Sequence, residues 1–179
     1  FSKEDLLHYS SNNLQKTKGI LFIVATPIGN FDDISLRAIK ILSFVDVLLC
    51  EDTRKTKRLL TYLNINHNKL MSYNDNNSEK KRPNLINKLL MNQNIGLVSD
   101  AGTPLISDPG YKMVQECYLN NIKVTHLPGP SSVINALILS GLPTNQFYFG
   151  GFVSSKKTQK EKQFSETKFN TMTGIWFDT

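Results

Sequence analysis

The chain has 179 residues, of which 40% are hydrophobic and 20% charged, and a formal net charge of +6. This suits one or two globular domains with a real core. No apolar run approaches the roughly 20 residues that span a bilayer, and Phe1-Ser2-Lys3-Glu4-Asp5 is too polar for a signal peptide, so a cytoplasmic protein is expected. Cys50 and Cys117 lie in apolar segments and read as buried free thiols. The positive charge permits a nucleic-acid or other polyanionic partner.

Residues 1–18 are polar and read as an arm with one short helix. Ile20 to Ala25 is a continuous apolar run, the pattern of a strand buried on both faces. After the turn Thr26-Pro27-Ile28-Gly29-Asn30, Asp32 or Asp33 can N-cap a helix with apolar positions Ile34, Ala38, Ile41, Leu42 and Val45. Asp46 to Cys50 is a second buried strand, and Glu51-Asp52-Thr53-Arg54 opens a basic helix to about Leu63. The Asn-rich residues 64–82 surround a weak strand from Lys69 to Tyr73, and Pro83 to Asn92 is helical. A strand at 95–99 follows. Asp108-Pro109 then suits the N-cap and first position of a helix with Met113, Val114, Cys117 and Tyr118 on its apolar face. Lys123 to Leu127 is another strand, and the helix from Ser131 to Ser140 is apolar nearly all round, hence central. Gly141-Leu142-Pro143-Thr144-Asn145 marks a domain boundary, beyond which lie a strand at Phe147, a Lys-rich segment, a helix and Gly174-Ile175-Trp176-Phe177. Alternating strands and helices argue an α/β fold with a largely parallel sheet. The parts are an arm over 1–18, an α/β domain over 19–145 and the start of a second domain over 146–179, too short to close its own core.

Neither a Gly-x-Gly-x-x-Gly nor a Walker A pattern is present, and no Cys or His cluster suggests a metal site. His8, His67 and His126 are scattered and read as surface or structural residues. What remains are four loops at strand ends: 26–30, 51–54, 100–110 and 128–132. One such loop is ordinary turn chemistry. Four after successive strands share one edge of a parallel sheet, where open α/β sheets bind ligands. The richest is Ser99-Asp100-Ala101-Gly102-Thr103-Pro104-Leu105-Ile106-Ser107-Asp108-Pro109-Gly110. A ligand there meets backbone N–H groups of that loop and of the helix start at Ser131-Ser132.

In order and spacing, Thr26 to Asn30, Glu51 to Arg54, Ser99 to Gly110 and Leu127-Pro128-Gly129-Pro130-Ser131 resemble the ribosomal RNA small subunit methyltransferase I family. That family lies in the tetrapyrrole (corrin/porphyrin) methylase superfamily. Ser140-Gly141-Leu142-Pro143-Thr144 and Gly151-Phe152 extend the match, which is strong over residues 20–153. The resemblance implies the tetrapyrrole-methylase fold, a mostly parallel sheet flanked by helices, with a second α/β domain that continues past Thr179. It implies S-adenosylmethionine as methyl donor, held between the two domains. It implies transfer to the ribose 2′-hydroxyl of a cytidine in the decoding region of 16S ribosomal RNA, with the small ribosomal subunit as partner and a homodimer as the working form. By similarity, the donor-facing positions are Pro27, Asp100, Ala101, Gly102, Ile106, Ser107, Pro130, Ser131 and Ser132, with Ala136 and Phe149 beyond them. Ser154-Ser155 departs from the Pro-Arg that relatives often carry.

Methyl transfer needs positioning, exclusion of water and an acceptor for the hydroxyl proton. Asp100 is the first candidate carboxylate for the donor, or else it caps its own loop. Glu51 and Asp52 are candidate catalytic groups at a strand end; their other role is helix capping and pairing with Arg54, Lys55 or Arg58. Arg54, Lys57 and Arg58 form a basic stripe, and Lys156, Lys157, Lys160 and Lys162 a second basic stretch, both suited to RNA phosphates or simply to water. Two other functions fit the same loops: a tetrapyrrole methyltransferase, disfavoured because such enzymes usually carry Gly-Pro-Gly where Thr26 to Asn30 stands, and a non-catalytic RNA-binding remnant of the fold.

Overall fold

The structure, a computed structural model, describes residues 18–66 and 70–178. The expected N-terminal arm and the expected strand start at Lys69 fall outside the described residues. Five strands, β1 (Leu21–Val24), β2 (Val47–Cys50), β3 (Leu70–Ser72), β4 (Ile95–Leu97) and β5 (Val124–Leu127), form one parallel sheet in the order β3-β2-β4-β1-β5. Its register aligns Ile95 with both Leu21 and Val47, and Leu21 with Val124. Parallel neighbours need crossover connections, which here are helices covering both faces. They are α1 (Leu36–Phe44), α2 (Thr53–Tyr62), α3 (Ser78–Leu90) and α4 (Tyr111–Leu119).

Alternate strand residues pack against opposite layers. Leu21, Ile23, Val47, Leu49, Ile95 and Leu97 join Leu85, Ile86 and Leu89 of α3 and Met113 and Cys117 of α4. Phe22, Val24, Leu48 and Cys50 join Ala38, Ile41 and Leu42 of α1 and Leu60 of α2. This is why the strands read as unbroken apolar runs. Both cysteines are buried free thiols, as expected, and burial pushes Cys117 up to about 12.

Several local expectations are corrected. Asp32 and Asp33 do not cap α1: they lie in a short 3₁₀ turn over Phe31–Asp33 capped by Asn30, and the Ser35 hydroxyl accepts from Ala38 N–H at 3.1 Å to start α1. Asp108 and Pro109 do not open α4 either. Its N-cap is Gly110 at φ 134°, where an added methyl would lie 2.6 Å from Leu105 and 2.8 Å from Leu97. The third helix begins at Ser78, not Pro83: Lys81 Nζ donates to the Ser72 carbonyl at 2.6 Å and holds the first turn, and Pro83 stands exposed in the turn that follows, at the cost of one backbone N–H.

A second, two-stranded parallel sheet pairs β6 (Phe147–Phe152) with β7 (Thr173–Phe177), joined by α6 (Lys157–Thr167). In chain order α5 (Ser132–Leu139) comes between the two sheets. It is not central. Only Val133 and Leu137 are buried, against Ile175, Phe149 and Phe177, while Ile138 and Leu139 are exposed. Its apolar turns belong to the small sheet, whose own helix α6 buries no residue.

Leu49 is fully buried in β2, which is paired on both sides, so Leu49→Ala should cost about 2–5 kcal/mol. Phe44→Ala, at a residue left 38% exposed, should cost less. Urea unfolding monitored by circular dichroism checks both.

Candidate functional site

The carboxyl ends of β1, β2 and β4 place three loops side by side. Thr26 and Gly102 form an antiparallel bridge, with N–H···O distances of 2.9 and 3.0 Å in the two directions. The Thr26 hydroxyl donates to the Ser99 carbonyl at 3.2 Å. Gly102 takes φ 82°, and a methyl there would sit 3.1 Å from Ile28, so this crossing favours glycine. The Thr103 hydroxyl donates to the Pro130 carbonyl at 2.9 Å, tying the same loop to the start of α5. Leu105 and Ser107, in the same loop, both lie in the left-handed region, at φ 76° and 60°.

Asp100 joins β4 to α2. One carboxylate oxygen accepts from Asp52 N–H at 2.9 Å and the other from Lys55 Nζ at 2.7 Å. Asp52 itself takes the capping role. It accepts from Arg54 N–H at 2.8 Å and holds the Arg54 guanidinium at 2.7–3.2 Å. The side-chain and backbone hydrogen bonds from Arg54 bring Asp52 down to about 2, so it stays ionised at neutral pH and is a weaker proton acceptor than an ordinary carboxylate. Burial, then the negative charge of Asp100, raises Glu51 above its ordinary value.

Two clefts open on either side of Ala101. The larger, about 290 Å³, is lined by Thr26, Pro27, Gly29, Phe31, Ser99, Asp100 and Ala101 from the loops and by Lys55, Thr56, Arg58 and Leu59 of α2. The smaller, about 90 Å³, is lined by Ala101, Thr103, Ile106, Ser107 and Asp108, by Ser131, Ser132 and Val133 at the start of α5, and by Phe152 and Phe177 of the second sheet. Their charges differ. Two cations and one carboxylate face the larger cleft, whereas Asp108 is the one ionisable side chain among the described residues of the smaller. Burial, then the charge of Glu51, pushes Asp108 up to about 6.

The expected donor-facing residues thus divide. Ala101, Ile106, Ser107, Ser131 and Ser132 gather at the smaller cleft, and Pro27, Asp100 and Ala101 at the larger. Gly102 and Pro130 lie between them as backbone supports. Ala136 is exposed on α5 and lines neither cleft, and Phe149 packs behind the wall against Phe177, at 4.8 Å between ring centres. Of the basic stripe, Arg58 lines the larger cleft, Arg54 is held by Asp52, and Lys57 is exposed. Lys156 and Lys157 are exposed at the start of α6, while Lys160 pairs with Asp178 at 2.7 Å and Lys162 with Glu166 at 3.9 Å. Sequence reading missed Lys55 and Phe31 in the larger cleft and Asp108 in the smaller. The spacing of Lys55 and Arg58, three apart on one helix, was the available signal for the first.

These features define an α/β protein with two clefts at the carboxyl edge of a parallel sheet, the edge at which open α/β sheets bind ligands. Residues 21–174 match the model of the Tetrapyrrole (Corrin/Porphyrin) Methylases, and the chain belongs to that family. It is 48% identical over 162 residues to ribosomal RNA small subunit methyltransferase I of Rickettsia prowazekii (strain Madrid E), covering 90% of this chain and 58% of that protein. The protein of the same name from Escherichia coli O157:H7 is 42% identical, covering 96% and 59%. The resemblance drawn from the loops is therefore borne out, and the chain spans under three-fifths of the length of these relatives. Among solved structures, diphthine synthase superposes with a TM-score of 0.71 at 14% identity, over 89% of this chain and 64% of that one. Uroporphyrin-III-C-methyltransferase from Thermus thermophilus gives 0.56 at 18% identity, over 74% and 60%. At such identities these two establish the shared fold. Among the described residues no helix is long and apolar enough to cross a membrane, and no group of three metal-binding side chains occurs.

The two perturbed aspartates have opposite effects on stability. Asp52 titrates lower folded than unfolded, so its contribution is present at neutral pH and lost as the pH falls from about 4 towards about 2. Asp108 titrates higher folded, so stability is lost as the pH rises from about 4 through about 6. Asp108→Asn should therefore stabilise the unliganded protein at neutral pH relative to acid, and Asp52→Asn should flatten the acid limb. Chemical denaturation across pH checks both signs.

Proposed function

We propose that the protein transfers a methyl group from S-adenosylmethionine to the ribose 2′-hydroxyl of a cytidine in the decoding region of 16S ribosomal RNA, as a cytoplasmic homodimer acting on the small ribosomal subunit. The observation that carries this reading is the pair of oppositely charged clefts meeting at Ala101. The name shared by the relatives supports ribosomal RNA as the substrate.

When bound, the donor supplies a methyl carbon made electrophilic by its sulfonium. The chain's own residues position the partners and exclude water. The first N–H groups of α5, with the hydroxyls of Ser131 and Ser132, suit the donor's carboxylate in the smaller cleft. In the larger cleft Lys55 and Arg58 suit an RNA phosphate, and the Phe31 ring offers a surface for a base. Asp100 lines that cleft and accepts the ribose proton or its hydrogen bond, with Lys55 steadying the carboxylate. Asp52 keeps the start of α2 in place, and Glu51 lies behind Asp100 as its negative neighbour.

The intact protein, given methyl-labelled donor and small-subunit RNA, should label one nucleotide and make the adjoining phosphodiester resistant to alkali, because the attacking 2′-hydroxyl is blocked. Labelling of a porphyrin precursor but not of RNA would instead indicate a tetrapyrrole substrate. RNA binding without transfer would indicate a non-catalytic protein. Arg58→Ala should raise KM for RNA more than it lowers kcat and should reduce the slope of log affinity against log salt by about 1.

A further inference from the structure

The smaller cleft holds an arrangement that neither the family match nor the loop motifs assign. Its wall contains one carboxylate, Asp108, and two phenylalanine rings, Phe152 and Phe177, with no lysine or arginine among the described lining residues. A carboxylate in a wall with aromatic rings and no cationic side chain favours a cation, by charge pairing and, where a ring face is presented, by cation–π attraction. The larger cleft, with Lys55 and Arg58, selects the opposite sign.

We infer that Asp108 is the counter-ion of the donor's positive charge, and that donor binding is coupled to release of a proton from its carboxyl group. This rests on the reading of the smaller cleft as the donor site. The charges around Asp108 come from three strand ends: Glu51 after β2, Asp75 after β3 and Asp100 after β4, all negative. Lys55 pairs with Asp100 at 2.7 Å and lines the larger cleft, not the smaller. Burial and these neighbours hold Asp108 near about 6, so the unliganded carboxyl is partly protonated close to neutral pH. A cation entering the cleft relieves the repulsion and drives the proton to solvent.

Titration calorimetry of the intact protein with S-adenosylmethionine tests this. Affinity should fall about tenfold between about pH 7.5 and about pH 5, as the ionised fraction of a group near 6 falls. Heats measured in two buffers of different ionisation enthalpy should show proton release near pH 6. Asp108→Asn should bind more weakly at neutral pH and lose the pH dependence. Glu51→Gln leaves the lining of the cleft intact and should move the midpoint of the pH profile downward. S-adenosylhomocysteine, which lacks the sulfonium charge, identifies the partner. If it escapes the Asp108→Asn loss, the sulfonium is paired; if it suffers equally, the ammonium is. Wild-type binding that is flat with pH, or an Asp108→Asn protein matching wild type at every pH, would overturn the inference alone. Absence of donor binding by the wild type would overturn the functional reading as well.

Discussion

Every group lining the two clefts depends on one constraint: strands buried on both faces must satisfy their backbone sideways, in a parallel ladder covered by crossover helices. Parallel strands end on one edge. The register of Ile95 with both Leu21 and Val47 therefore puts the loops after β1, β2 and β4 within reach of one another. The Thr26–Gly102 bridge and the Asp100 carboxylate, shared between Asp52 N–H and Lys55, then fix those loops as a single unit. Ala101 stands at its middle with a cleft on each side.

The proposed methyl transfer from a cationic donor to a polyanion sets a particular electrostatic problem. The two partners attract each other, yet each has to be held in its own place. Separate clefts of opposite sign meet that need, with Lys55 and Arg58 on one side and Asp108 on the other. The cost appears at Asp108, a carboxylate held partly neutral by burial and by Glu51. Such a group weakens the unliganded fold at neutral pH, a common consequence of arranging a site for binding.

Much of this was legible in the sequence. Continuous apolar runs at Ile20 to Ala25 and Val47 to Cys50 have the length and pattern of strands buried on both faces, and turn-rich loops at their ends marked the edge where the clefts lie. What was not legible depended on tertiary packing. The ten-residue stretch from Ser131 looks like a central helix by hydropathy, yet only Val133 and Leu137 find a partner, in the small second sheet. Asp108-Pro109 has the chemistry of a helix start, but the left-handed turn at Gly110 delays α4 and leaves Asp108 on the cleft wall. Phe149 and Phe152 sit on one strand with a register shift between them and both pack on Phe177, so strand alternation alone does not tell which of them lines the cleft.

Soaking crystals of the intact protein with S-adenosylhomocysteine tests the assignment of the two clefts most directly. The ligand should occupy the smaller cleft, between Ala101–Asp108 and the start of α5, and leave Lys55 and Arg58 free to meet RNA. Ligand density in the larger cleft, against Lys55 and Arg58, would contradict it.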